Sequence, residues 1–163
     1  ENPQVEQLLR ELAKRLSHVR GKKVYGYLRP DLKALVNQIV DELAKDERIA
    51  QLYDLWYQDK QAVRNVYDER PLERVPLSEN TDFKPIRNAV VRAAVELDVE
   101  QRQTQNQNYA PPLLTMATRL LRQVGQIFRQ QFQIDPPVVR LVDAKLRRKI
   151  AEKKLAHGQK LEM

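Results

Sequence analysis

Apolar positions recur along most of this chain at intervals of three and four residues, the spacing that lines one face of an α-helix. Val5, Leu8, Leu9, Leu12 and Leu16 set the first such stripe. Asn2 and Pro3 supply a cap and a first-turn proline, and Gly21 ends the run. A second helix is expected to open at Pro30 and Asp31, with Leu32, Leu35, Val36, Ile39, Val40 and Leu43 on its inner face. Asp46 reads as the N-cap of a third, whose apolar positions are Ile49, Leu52, Tyr53, Trp56, Val63 and Val66. Pro71 and Pro76 mark an ordered loop. Either Ser78 or Asp82 then caps a fourth helix, and Pro85 favours Asp82, because proline is tolerated in a first turn and kinks a second. Phe83, Ile86, Val90, Ala93, Ala94 and Leu97 share one face of that helix.

Residues 98–112, DVEQRQTQNQNYAPP, break the pattern with Gln, Asn and two prolines and read as a linker. A fifth amphipathic helix follows from about Leu113 to Phe132, with Leu113, Met116, Leu120, Val124, Ile127 and Phe128 in phase, and Pro136-Pro137 ends it. A basic helix comes last. The expected fold is all-α: a bundle of about four helices over 1–97, the linker, the amphipathic helix over 113–136, and the basic helix over 137–163.

Composition supports helix over strand: four glycines in 163 residues, with many Leu, Ala, Gln, Glu, Lys and Arg. With no cysteine, disulfides and thiolate metal sites are excluded, and a reducing, cytoplasmic setting is expected. No apolar run approaches the roughly 18 residues of a membrane span, and the polar N-terminus, ENPQVEQ, is unlike a signal peptide. Because the sequence opens at Glu1, it reads as a piece of something longer.

Charge alters the picture most. Residues 140–160 hold eight Lys and Arg against two acids, Asp143 and Glu152, which leaves +6 of the +7 carried by the whole chain. Basic surface concentrated this way is the footprint of a polyanion, DNA or RNA first. Around the narrow stripe Val142, Leu146 and Ile150 stand Lys145, Arg147, Arg148, Lys149, Lys153 and Lys154, suited to phosphate contacts. A solvated basic tail explains the same run. A membrane-surface role fits less well, because the stripe is narrow and has no aromatic residue.

Other candidates read more simply. Tyr53, Trp56 and Tyr57 could stack on unpaired bases, but their helical spacing points to the core. Tyr25 and Tyr27 flank Gly26 beside Lys22 and Lys23, a placement open to nucleic-acid contact or to nucleophilic chemistry. A nucleophilic tyrosine needs a base or a metal beside it, and the two histidines, His18 and His157, lie far apart in sequence. The acids Asp46 and Glu47 fit a helix start, where the dipole favours negative charge. No phosphate-binding, dinucleotide-binding, zinc-protease or serine-hydrolase motif is present. Neither a catalytic residue nor a cofactor is assigned.

Three blocks carry a family resemblance: GKKVYGYLRPDLKALVNQIVDELAKDERIAQLYDLWY, RPLERVPLSENTDFKPIRNAVVRAAVEL and KLRRKIAEKKLAHGQK. In this order and spacing they resemble the C-terminal helical region of the MobL-type relaxases, in the MobP group of plasmid and conjugative-element mobilisation proteins. The segment PLSENTDFKP departs from the family's pattern at Pro85. The resemblance implies a parent protein that nicks one DNA strand with a tyrosine and a metal held by histidines and acids, in a domain N-terminal to this region. It implies a non-catalytic, DNA-binding role here. The alternative is an interaction module in which the helix from Leu113 packs on another copy or on a secretion coupling protein.

Overall fold

The computed structural model describes residues 3–67, 72–103, 113–134 and Lys149. Among these, five α-helices form: α1 (Pro3–Leu16), α2 (Pro30–Leu43), α3 (Glu47–Tyr67), α4 (Lys84–Gln103) and α5 (Leu113–Gln130). Short 3-10 turns at Tyr25–Tyr27, Leu77–Glu79 and Thr81–Phe83 join them, and no strand is formed among the described residues. The fold is a small all-α bundle.

Helices α1 and α4 form its centre. α1 packs on α2, α4 and α5; α4 also packs on α2 and α5, and α3 leans on α5. The apolar face of α5 is thus satisfied inside the chain, through Met116, Leu120, Val124, Ile127 and Phe128. All six apolar positions of α2 named above are buried, as are those of α4.

The helix starts follow local chemistry. Pro30 sits in the first turn of α2, where its missing N–H costs nothing. The Asp46 side chain accepts from the Arg48 N–H at 2.9 Å, the cap expected of it. α4 begins differently from expectation. Neither Ser78 nor Asp82 caps it: the Asn80 side chain accepts from the Asp82 N–H at 3.0 Å and starts a 3-10 turn, which runs into helix at Lys84. Pro85 falls in the first turn, so the steric argument holds while the cap moves to Asn80.

At its other end, α4 continues past Leu97 to Gln103, into the stretch read as linker. Glutamines are good helix formers, and Arg102 pairs with Asp98 one turn back at 3.3 Å while donating to the Ser17 carbonyl at the end of α1. Arg119 of α5 reaches Glu100 at 3.4 Å. One apolar assignment fails: Val63, in phase with Trp56, is 44% exposed. Periodicity gives the face of a helix but not how far along it a partner extends.

A cluster of six rings fills the space where α3, α5 and the start of α4 meet. Phe83 is its hub. Its ring centroid lies 5.4 Å from Tyr53, 4.9 Å from Trp56, 5.1 Å from Phe128 and 4.4 Å from Phe132, and Tyr57 closes the cluster against Tyr53 and Trp56. These are edge-on, tilted and stacked contacts in the range that aromatic pairs favour.

Candidate nucleic-acid interface

The six basic residues singled out in the sequence fall largely outside the described part. Lys149 is described, as an exposed helical residue; Lys145, Arg147, Arg148, Lys153 and Lys154 lie outside it, as does the stripe Val142, Leu146 and Ile150.

Tyr53, Trp56 and Tyr57 are buried in the core and present no face for base stacking. Both tyrosine hydroxyls serve the loop before α4. Tyr53 donates to the Val75 carbonyl at 2.8 Å and accepts from Asn80 Nδ2 at 3.1 Å. Tyr57 donates to the Glu73 carbonyl at 2.8 Å and accepts from the Val75 N–H at 2.6 Å. Burial pushes the Tyr53 phenol well above the ordinary tyrosine range, with Asn80 opposing the shift only in part. A nucleophile needs the opposite shift, so this tyrosine acts as a strut.

A metal fares no better. Among the described residues no three His, Asp or Glu side chains converge into a group that could hold a metal ion. Glu6 is the one buried acid of the described core: both its oxygens are shielded, and Arg10 Nε lies 3.6 Å from Oε1, an ion contact longer than a hydrogen bond. Burial raises its pKa above the ordinary carboxylate value, and the Arg10 and Arg119 charges oppose that shift.

A basic and aromatic surface forms at the Tyr25–Tyr27 turn, and its residues come from three parts of the chain. Tyr27 projects from the turn, 71% exposed, with Lys22 Nζ 5.2 Å from its ring centroid. Tyr25 is half-buried; Lys33 of α2 approaches its ring at 5.7 Å and Arg87 of α4 at 5.0 Å. The Nζ of Lys84 stands 3.6 Å from where a Cβ on Gly26 would lie. Arg87 is 7% exposed and donates through one nitrogen to the Ser78 and Asn80 carbonyls, at 3.1 and 2.9 Å. These bonds fix its guanidinium beneath the turn. Sequence reading picked out the two tyrosines and Lys22 and Lys23; Lys33, Lys84 and Arg87 join only through folding.

None of the described helices is long and apolar enough to cross a membrane. No curated protein and no solved structure matches the chain. A family model described as MobL relaxases matches residues 1–131, which take in all five described helices and the first two blocks of likeness, and stops before the basic third block. With that match over most of its length, the chain belongs to the MobL relaxase family.

Proposed function

We propose that this chain is a non-catalytic, cytoplasmic DNA-binding module of a plasmid or conjugative-element mobilisation relaxase. Its C-terminal basic segment contacts the DNA backbone through Lys145, Arg147, Arg148, Lys149, Lys153 and Lys154. The observation that carries this reading is the segregation of charge. Residues 140–160 hold +6, so the remainder, bundle included, is close to neutral. Family membership supports DNA as the polyanion.

The strand-nicking chemistry is assigned to a separate domain of the parent protein. A buried Tyr53 with its phenol pushed upward, and the lack of a converging metal-donor set among the described residues, support that division. Docking of α5 on a second copy or a coupling protein loses its premise, because the apolar face of that helix already packs on α1, α3 and α4.

Fluorescence anisotropy of labelled single- and double-stranded DNA, titrated with the full chain and with a version ending at Pro137, tests the proposal. The full chain should bind and the shortened one should lose that binding. Equal binding by both would remove the basic segment as the contact.

A further inference from the structure

Some cations of the bundle are paired with acids and others are not. Arg15, Arg29, Arg48, Arg74, Arg102 and Arg119 each stand within ion-pair distance of an acid, so their fields are largely cancelled. Lys22, Lys23, Lys33 and Lys84 have no such acid among the described residues, and neither does the buried Arg87. All of these but Lys23 stand against the Tyr25–Tyr27 turn at the distances given above, and Lys23 adjoins Lys22 in the segment that leads into it. The turn therefore gathers four lysines and Arg87 without a partner acid; Lys14, Arg20, Lys60, Arg92, Arg122 and Arg129 likewise have no ion pair among the described residues, so it is the aromatic centre that sets this surface apart.

The centre of that surface is aromatic. Tyr27 leaves most of its ring in water, although a ring of that size gains from burial. Lys22 sits over it at 5.2 Å, close enough to hold a phosphate next to a base stacked on the ring. Tyr25 is braced from below by Arg87, whose own position two carbonyls fix, so the turn is held in shape before any ligand arrives. Exposed aromatic rings interleaved with cations are what unpaired nucleic acid requires: the rings take base faces and the cations track the backbone. Duplex DNA hides its base faces in the stack and offers this surface phosphates alone.

We infer that the Tyr25–Tyr27 turn, with Lys22, Lys23, Lys33 and Lys84, is a second DNA contact that binds single strands by stacking a base on Tyr27. The identity of the polyanion rests on the DNA-binding function proposed above, but the site is separate from the basic segment. An unpaired DNA strand is the ligand this chemistry fits.

The test uses the full chain, a fluorescein-labelled oligothymidine and a duplex of equal length, with three variants: Tyr27→Ala, Tyr27→Trp, and the pair Lys22→Gln with Lys84→Gln. Stacking on an aromatic side chain is worth about five- to 150-fold in affinity per base. Tyr27→Ala should weaken oligothymidine binding within that range and leave duplex binding unchanged, while Tyr27→Trp should retain or tighten it. The double lysine variant should flatten the single-strand slope of log K against log salt by about 1.4, or roughly 0.7 per phosphate contact. Circular dichroism checks that each variant keeps its helix content, which exposed positions should not disturb. The inference is overturned if Tyr27→Ala leaves oligothymidine affinity unaltered, or weakens both ligands alike. A fourth variant, Lys145→Gln with Arg147→Gln, Arg148→Gln and Lys149→Gln, separates the two sites. If it binds normally while Tyr27→Ala fails, the basic-segment proposal falls and this one stands; loss in the tail variant alone gives the reverse.

Discussion

Replacing Phe83 by alanine should be among the most damaging single changes in the described bundle. The side chain is fully buried at the junction of α3, α4 and α5, with four rings between 4.4 and 5.4 Å from its centroid. Truncating a buried Phe to Ala costs about 3–5 kcal/mol, from lost transfer energy and from the cavity left behind. Four aromatic partners, each worth about 0.5–1.5 kcal/mol beyond area burial, place Phe83 in the upper part of that range. A domain of this size has about 5–15 kcal/mol in all, so the variant should stand close to its unfolding threshold. At an m-value of about 2 kcal/mol/M, the urea midpoint should fall by about 1.5–2.5 M. The chain's single tryptophan, Trp56, lies 4.9 Å from Phe83, so its emission reports the same site during the titration. Phe83→Leu, which refills part of the space, should lose clearly less. A loss below about 1 kcal/mol for Phe83→Ala, with Trp56 emission unmoved, would refute the hub described for this cluster.

Three further outcomes follow from the buried polar groups and the exposed surface. Tyr53→Phe leaves the Val75 carbonyl without that donor and Asn80 Nδ2 without that acceptor, so it should cost about 1–3 kcal/mol in denaturant melts; a neutral result would mean that the loop before α4 is held by other contacts. Glu6 has a raised folded-state pKa, so the native chain holds that proton more tightly than the unfolded one, and the contribution of Glu6 to stability falls as pH rises through the folded value. Glu6→Gln should therefore be more stable than the parent at pH 7, with the gap closing as pH drops toward the ordinary carboxylate value of 4.5; a Gln variant less stable at pH 7 would contradict this sign. Val63→Ser, at a position on the apolar phase of α3 but 44% exposed, should change stability by no more than about 0.5 kcal/mol, and a loss of core size would show that something covers it.

The bundle was legible wherever a helix keeps one apolar face along its whole length. α2 is the clearest case, its six predicted positions being its six buried ones. Boundaries set by local capping were partly legible: Asp46 caps α3 as its side-chain chemistry suggests, whereas the start of α4 depends on a 3-10 turn that no helix pattern announces. The end of α4 was hidden because Gln and Asn were read as linker composition, while contacts made only on folding, Arg102 to Ser17 and Arg119 to Glu100, extend it. The basic segment was visible as charge alone. For the Tyr25–Tyr27 surface, sequence gave the aromatic residues and their adjoining lysines. Lys33, Lys84 and Arg87 come from other helices, and no spacing along the chain brings them together.

The most direct test of the DNA-binding account is the salt dependence of duplex binding. It compares the full chain with a variant in which Lys145, Arg147, Arg148, Lys149, Lys153 and Lys154 are all glutamine. Each neutralised phosphate contributes about −0.9 to the slope of log K against log salt, so six contacts account for about −5. The parent chain should show a slope at least that steep, and the variant should lose about 5 from it together with most of its affinity. An identical slope in the two chains would contradict the assignment of DNA contact to the basic segment.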